Sequence, residues 1–158
     1  MASDIFAKLG DIEGESLDDK HKDEIEVLSW SWGVSNPGSR GGGTGGGAGK
    51  ATFHDLSFTH HIDKASPLLL QGCATGRHIK EATITHRKAG KGQQEFLIIK
   101  MNDVIITSVQ HGETQDSHLE SVSLAFAKVD LEYKPQKRDG SLDAGIHFKY
   151  DIKGNKEG

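Results

Sequence analysis

The sequence predicts a single domain over residues 1–158 that is mainly β, a β-sandwich or a closed barrel with one short helix. Its length of 158 residues suits one hydrophobic core and leaves little room for a second. Glycine is abundant at 20 residues and proline is rare at 3, which is typical of strands joined by tight turns. About eight segments alternate apolar and polar residues with the period of two that strands require.

Three strands are predicted in the first part of the chain, at Asp4–Leu9, Glu24–Gly33 and Thr52–Thr59. In the second of them the apolar residues change phase between Val27 and Leu28. A strand tolerates such a change only where both of its faces are partly buried or where a bulge intervenes. The sequence leaves both explanations open.

The acidic and polar segment 11–23 is expected to form a solvated loop between the first two strands. A cation site there is disfavoured because the spacing of the carboxylates does not match an EF-hand loop. The nine histidines are scattered, and the adjacent His60 and His61 are expected to point to opposite faces of a strand. We therefore predict no metal site and expect the histidines to be solvated or hydrogen-bonded within the fold.

One helix is predicted in the middle of the chain. Ser66 is a suitable N-cap, Pro67 suits the first turn and Gly76 is a suitable stop. Gly72 weakens the helix by roughly 1 kcal/mol relative to alanine. A helix this short is marginal alone, so it must dock on a sheet. Cys73, the single cysteine, is expected to be a buried structural thiol on this helix.

The second half of the chain is predicted to contain strands in close succession. They are expected at Ile79–Lys88, Glu95–Met101, Val104–Gln110, His118–Tyr133 and Ile146–Ile152. Hairpin turns are predicted at 89–92 and at 102–103. The apolar residues of His118–Tyr133 change phase after Phe126. We therefore expect a bulge near Ala127 and Lys128 that bends this strand across two sheets.

Charge and cysteine usage exclude several classes of protein. The 19 Lys and Arg residues oppose 23 Asp and Glu, a formal net charge of −4, so nucleic-acid binding is not expected. A single cysteine forms no internal disulfide, so folding does not require an oxidising compartment. No apolar run is long enough for membrane insertion, and the N-terminus lacks the apolar core of a secretory signal peptide. We expect synthesis and folding in the cytoplasm.

The one low-complexity segment, GSRGGGTGGGAG at 38–49, joins two predicted strands. It ends in a Gly-Lys pair like a phosphate-binding loop, but Thr44 stands where that motif needs glycine, and Ala51 where it needs serine or threonine. A strand rather than a helix follows, so no helix N-terminus faces a phosphate. We predict no nucleotide or other cofactor, and we interpret the flexible loop 36–50 as a docking arm that a partner orders.

Catalytic motifs are missing from the sequence. It contains no Gly-x-Ser-x-Gly nucleophile motif and no carboxylate pair that stands out for acid–base work. We therefore predict that the chain is not an enzyme.

The most informative stretch is 28–33. Trp30 and Trp32 share one face of a predicted strand and supply core or interface area. Ser29 and Ser31 then point the other way, where they form a small, polar, uncharged face. Such a face is either simply solvated or a hydrophilic lining surface.

Several short motifs, spread nearly end to end along the chain, carry a resemblance to a known family. They are Asp4-Ile5-Phe6, Lys8-Leu9-Gly10-Asp11, Gly14-Glu15-Ser16, the stretch 25–33, the glycine loop ending Gly49-Lys50, the stretch 55–59, Asp63-Lys64, Arg87-Lys88-Ala89-Gly90, the stretch 94–99, and Tyr133-Lys134-Pro135-Gln136. In this order they resemble the Hcp (hemolysin-coregulated protein) family, the tube subunits of type VI secretion systems.

The resemblance implies a β-barrel of two packed antiparallel sheets with one short α-helix, assembled into a homohexameric ring with a wide channel. It implies that rings stack into the ejected inner tube and act as carriers or chaperones for effectors in the lumen. The implied partners are further copies of the chain, the contractile sheath, the spike protein and small effectors. The implied location is cytoplasmic at first and then extracellular. The chain stops soon after its last strand, so no C-terminal toxin extension is expected.

Two sets of residues receive roles from this resemblance. The pair predicted to face the lumen and its cargo is Ser29 and Ser31. The set predicted to take part in ring stacking is Asn36, Ser39, Arg40, Thr44 and Lys50.

The alternative interpretation is a stand-alone β-barrel that carries a small ligand in an internal cavity. Such a barrel needs one clean, inward-facing set of apolar residues along each strand. The changes of phase in three strands disfavour it.

Overall fold

The computed structural model of the chain describes residues 3–38, 50–88, 92 and 94–158. These residues form eleven strands and one helix, so the prediction of a mainly β fold with a single short helix is confirmed. In chain order the elements are β1 (Ser3–Leu9), β2 (Ile25–Glu26), β3 (Ser29–Ser31), β4 (Val34–Ser35), β5 (Thr52–Phe53), β6 (Leu56–His61), α1 (Ser66–Thr75), β7 (His78–Lys88), β8 (Glu95–Thr114), β9 (Ser117–Tyr133), β10 (Ile146–Asp151) and β11 (Lys156–Glu157).

Nine of these strands form one antiparallel sheet. Its main order is β11-β10-β9-β8-β7-β1-β2, while β6 pairs with β9 and β3 pairs with β6. The two remaining strands, β4 and β5, pair with each other. The predicted strand at Thr52–Thr59 is therefore divided between β5 and β6, which belong to different sheets.

β9 joins two portions of the main sheet because its partner changes along one edge. Residues 119–124 pair with β6, whereas residues 128–133 pair with β10. The opposite edge pairs with β8 over nearly its whole length. Two sheet portions, β3-β6-β9-β8 and β10-β9-β8-β7-β1-β2, thus share two strands. They pack around one core, across which Trp30 of β3 contacts His86 of β7 with ring centroids 6.0 Å apart.

The change of apolar phase predicted near Ala127 and Lys128 is present, but it is not a bulge in β9. The register with β8 runs unbroken through this point, and its irregularity lies between Ile106 and Ser108 of β8 instead. The strands β7, β8 and β9 change phase together. In each of them two successive buried residues are three positions apart, so the buried side chains pass from one alternation phase to the other. The two rows of buried residues are Ile79, Val104 and Phe126, and then Ala82, Met101 and Val129. This shared change turns the corner between the two sheet portions.

β8 is a single strand of 20 residues, so the predicted turn at 102–103 is wrong. Asp103 has a left-handed φ of 53°, a conformation that Asp and Asn tolerate in turns. However, β7 and β9 pair with β8 on both sides of this position. Pairing along two edges therefore overrides the local preference for a turn.

The phase change between Val27 and Leu28 marks the point where the chain passes from one sheet portion to the other. The N–H of Val27 donates to the carbonyl of Ile5 at 2.9 Å, next to the β1–β2 pairing. The N–H of Leu28 donates to the carbonyl of Thr59 on β6 at 2.8 Å. The predicted strand Glu24–Gly33 is divided because its two halves have different neighbours.

α1 ends where the sequence predicts and begins one residue earlier, so Ser66 is its first residue and does not cap it. Ala65 occupies the N-cap position, and its N–H donates to Oδ1 of Asp63 at 2.8 Å. Oγ of Ser66 instead accepts a hydrogen bond from the N–H of Asp63 at 3.1 Å. Gly76 ends the helix with a left-handed φ of 67°, as predicted.

α1 docks on β8, as its short length requires. Leu69 is fully buried, and an added Cβ at Gly72 would lie 3.1 Å from Cδ1 of Ile106. The glycine therefore weakens the helix but permits this close approach to the sheet. Cys73 packs against the core but is only half-buried, so the predicted burial of this thiol is incomplete.

Segment 11–23 packs against β1 and β7, so the expectation of a solvated loop is wrong for several of its residues. Ser16 and His21 are buried, and the His21 ring stacks on Phe6 with centroids 4.4 Å apart. Asp18 accepts hydrogen bonds from both terminal nitrogens of the buried Arg87 guanidinium, at 2.8 Å for Nη1. This hydrogen bonding holds the pKa of the Asp18 carboxyl well below its usual range. The acidic segment thus closes the outer side of the sheet.

Gly14 offers a test of this packing, because an added Cβ would lie 2.6 Å from the carbonyl oxygen of Glu24 and 2.8 Å from Cα of Ile25. Both neighbours are backbone atoms, so Gly14→Ala is expected to destabilise the protein by about 1–3 kcal/mol. Gly112→Ala is the matched control because open space surrounds its Cβ position. Denaturant unfolding measures both; equal midpoints for the two variants would show that segment 11–23 is not packed as described.

Candidate functional site

The outward side of the portion β3-β6-β9-β8 carries two rows of exposed or half-buried, uncharged polar residues, seven with hydroxyl groups and one glutamine. Facing positions in an antiparallel sheet place their side chains on the same side, so the register defines each row. We call these eight residues the hydroxyl face. The first row is Ser31, Ser57, Ser123 and Ser108, and the second is Ser29, Thr59, Ser121 and Gln110.

The same strands turn their other face to the core. Trp30 lies between the two serines of β3, and Leu56 and Phe58 alternate with the hydroxyl residues of β6. On β9, Val122 and Leu124 are fully buried. On β3, β6 and β9 the hydroxyl face is therefore the outward half of an alternation whose other half is packed in the apolar core.

Hydrogen bonds within the hydroxyl face link neighbouring strands. Oγ of Ser57 lies 2.8 Å from Oγ of Ser123, and Oγ1 of Thr59 lies 3.5 Å from Oγ of Ser121. All eight residues are uncharged. The face therefore presents weak donors and acceptors that hydrogen-bond to water or to a polar surface without attracting either sign of charge.

Ser29 and Ser31, the two residues singled out from the sequence, are both exposed on this face. The structure adds the hydroxyl residues of β6 and β9, which the sequence reading passed over. Their signal is the same alternation, with Ser57 and Thr59 between the buried residues of β6. Pairing brings them beside β3, and the sequence does not state which strands pair.

The structure describes two of the five predicted ring-stacking residues. Ser39, Arg40 and Thr44 lie outside the described residues, while Asn36 and Lys50 are exposed. β4 and β5 pair through Val34↔Phe53 and Ser35↔Thr52, so the two ends of the segment 36–50 start side by side.

The interior of the barrel is filled with side chains. Ile25, Leu56, Ile99, Met101 and Leu124 are all completely buried in one core. This packing favours a structural wall over the alternative of an internal ligand cavity.

Two completely buried titratable side chains contact each other, which the sequence did not predict. His60 and Glu120 are both completely buried, and Nε2 of His60 lies 2.7 Å from Oε1 of Glu120. His61 is exposed on the other face of β6, as predicted. Over residues 3–38, 50–88, 92 and 94–158, no three His, Cys, Asp or Glu side chains are grouped so as to hold a metal ion. Within the same ranges no helix is long and apolar enough to cross a membrane.

Comparison with known proteins assigns the chain to a family. A family model described as "Type VI secretion system effector, Hcp" matches residues 6–133. Protein hcp1 of Pseudomonas aeruginosa is 47% identical over 159 residues, with 98% of each chain covered. The crystal structure of Hcp1 from Salmonella typhimurium superimposes with a TM-score of 0.82 at 41% identity, covering 99% of both chains. A structure described as a type six secretion system protein gives 0.91 at 30% identity, covering 99% of this chain and 100% of the other.

The mainly β fold and these likenesses define a component of type VI secretion. The chain belongs to the Hcp family. The resemblance stated from the sequence motifs is therefore confirmed.

Neighbouring residues of β3 are expected to respond differently to substitution. Ser31→Gln adds a longer polar side chain on the exposed side, so stability should stay within about 0.5 kcal/mol of the wild type. Trp30→Ala removes aromatic packing on the core side and should cost about 2 kcal/mol or more. Thermal or denaturant unfolding measures both values. A Ser31→Gln variant as unstable as Trp30→Ala would mean that Ser31 is not on an open face.

Proposed function

We propose that the chain is the structural tube subunit of a type VI secretion system and that it acts as a homohexameric ring. Family membership supports the secretion role, and the hydroxyl face is the observation that carries the proposal. A broad, uncharged face backed by a packed core suits the wall of a channel better than it suits a binding site for one small ligand. The chain acts as a scaffold and not as an enzyme.

A ring made from one kind of chain needs two different contact surfaces, because each copy touches its neighbours head to tail. Exposed apolar side chains at two separate places, the β9–β10 pair and α1, support such contacts. Tyr133 and Ile146 face each other across β9 and β10 and are 46% and 65% exposed, and Phe148 beside them is 40% exposed. Leu68 and Leu70 on α1 are each 42% exposed. Burying such residues between copies stabilises an oligomer.

In this ring the hydroxyl face lines the channel, so Ser29 and Ser31 face the cargo. A lining of short hydroxyl side chains binds water well and leaves space for a guest. Because it has no fixed charge, it holds small effectors of either net charge without strong attraction. The ring thereby serves as carrier or chaperone for effectors before export.

Stacking of rings is assigned to the segment 36–50, with Asn36, Ser39, Arg40, Thr44 and Lys50 as its contact residues. The pairing of β4 and β5, which holds the two ends of this segment together, supports its role as a projecting arm. Stacked rings then form the tube inside the contractile sheath, with the spike protein at its tip. We propose that the chain is made in the cytoplasm and exported through the type VI apparatus without a cleavable signal peptide.

The ring is tested by the mass of the protein in solution and by negative-stain imaging. We expect about six times the 17.1 kDa chain mass and a ring with a central hole. Deleting residues 41–47 is expected to leave the ring intact and to weaken tube formation, because it shortens the segment assigned to stacking and removes Thr44.

Thr44→Gly is the matched control, because it keeps the length of residues 41–47 and removes their single non-glycine side chain, which separates loss of length from loss of the Thr44 contact. A strict monomer at high concentration would instead support the carrier alternative. Normal tubes from the deletion variant would exclude the stacking role of this segment while leaving the ring unaffected.

The channel assignment is tested by Ser31→Gln in cells that export small effectors. The longer side chain crowds the hydroxyl face, so the ring should form normally while the steady-state level of effectors that it protects falls several-fold. Ser3→Gln, at an exposed serine of β1 away from this face, is the control. Equal effector levels in both variants and the wild type would contradict contact between Ser31 and the cargo.

A further inference from the structure

The three strands β6, β8 and β9 meet at one buried carboxylate. Glu120 on β9 is completely buried. Its Oε1 lies 2.7 Å from Nε2 of His60 on β6, and its Oε2 lies 2.5 Å from Nε2 of His111 on β8. Each carboxylate oxygen thus accepts a hydrogen bond from a different histidine on a different strand.

A carboxylate removed from water is costly unless an opposite charge accompanies it. The groups able to supply that charge here are the imidazolium forms of His60 and His111. Nδ1 of His60 is buried without a hydrogen bond and lies 3.7 Å from Oδ2 of Asp63. A second carboxylate therefore faces the other side of the same ring, which favours the charged ring further.

Other charged groups near the cluster do not replace these histidines. α1, which packs on β8, carries no charged residue along Ser66–Thr75. His61, the next residue of β6, points to the opposite face and lines a cavity of about 180 Å³ with Glu15, Glu26 and Asp63. His118 lies 3.4 Å from Glu113 at the exposed end of β8 and β9.

The pKa of His60 reflects the same balance. Burial of the ring acts to lower the pKa, but the carboxylates of Asp63 and Glu120 outweigh burial and raise it above its usual value. Because the value in the folded protein is raised, charge on His60 stabilises the fold fully below a pH of about 6.5. That stabilisation is lost as the pH rises through the raised value.

The cluster lies at the base of a projecting hairpin. β6 pairs with β9 as far as His61↔Leu119, whereas β8 and β9 continue to pair up to Thr114↔Ser117. We call residues 111–118 the β8–β9 hairpin. Beyond His61↔Leu119 one described backbone hydrogen bond remains, from the N–H of Ile62 just after β6 to the carbonyl of His118 at 2.9 Å. The contacts of Glu120 are the side-chain hydrogen bonds that join the base of this hairpin to β6.

We propose that His60, Glu120 and His111 form a proton-dependent clamp on the β8–β9 hairpin. When the His60 imidazole is charged, the clamp fixes the base of the hairpin to β6. When it is neutral, the buried Glu120 loses this counter-charge, and the hairpin opens more often to admit water. This regulation of a projecting part of the subunit goes beyond its role in a ring or a tube.

Hydrogen–deuterium exchange of the full-length protein tests the clamp. Amide protection of residues 111–118, corrected for the intrinsic pH dependence of exchange, is expected to fall several-fold between about pH 6 and about pH 8. His60→Gln keeps a donor for Glu120 but does not titrate, so this fall should largely disappear. His60→Lys keeps a positive charge across the whole range and should keep protection high at both pH values.

His118→Gln is the matched control, because it removes an exposed histidine from the same hairpin without touching Glu120. It should behave as the wild type does. Mass in solution, recorded at both pH values, separates a change in the hairpin from a change in assembly. The clamp is overturned if the fall in protection persists in the His60→Gln, His111→Gln double variant, or if the wild type shows no fall at all. Neither result bears on whether the chain forms rings.

Discussion

The architecture depends on one constraint: β8 and β9 each belong to two sheet portions that pack around a single core. Side chains alternate along a strand, so a straight strand buries only one of its two phases. Both strands must therefore change the buried phase where the barrel turns. The change occurs in β7, β8 and β9 at the same rows, with Phe126 and Val129 marking it on β9. One shared corner thus changes the buried phase of all three strands.

The position of this corner also determines where the hydroxyl face lies. Before the corner, Val122 and Leu124 fill the core, so Ser121 and Ser123 must point outward. β6 ends before the corner and follows the same phase, as does β3 beside it. The hydroxyl face therefore extends across all the strands that share this phase. It ends where β10 replaces β6 as the partner of β9.

Features that depend on one strand were predictable from the sequence, and features that depend on pairing were not. The exposure of Ser29 and Ser31 follows from the tryptophans that alternate with them. The predicted turn at 102–103 failed because two neighbouring strands outweigh a local preference. The contacts of Glu120 could not be predicted from the sequence for a similar reason, because the register between strands brings histidines from two other strands to its side chain. The roles in stacking and cargo binding came from the family resemblance and stay predictions.

The long ladder between β8 and β9 has a mechanical consequence. It runs from Leu97↔Tyr133 to Thr114↔Ser117, and its hydrogen bonds lie across the strand direction. A force along β9 therefore loads these bonds in shear, so that many must strain together before one yields. The two-residue ladders β4–β5 and β10–β11 share load among far fewer bonds. The subunit is consequently stiffest along β8 and β9 and most compliant at the short ladders β4–β5 and β10–β11.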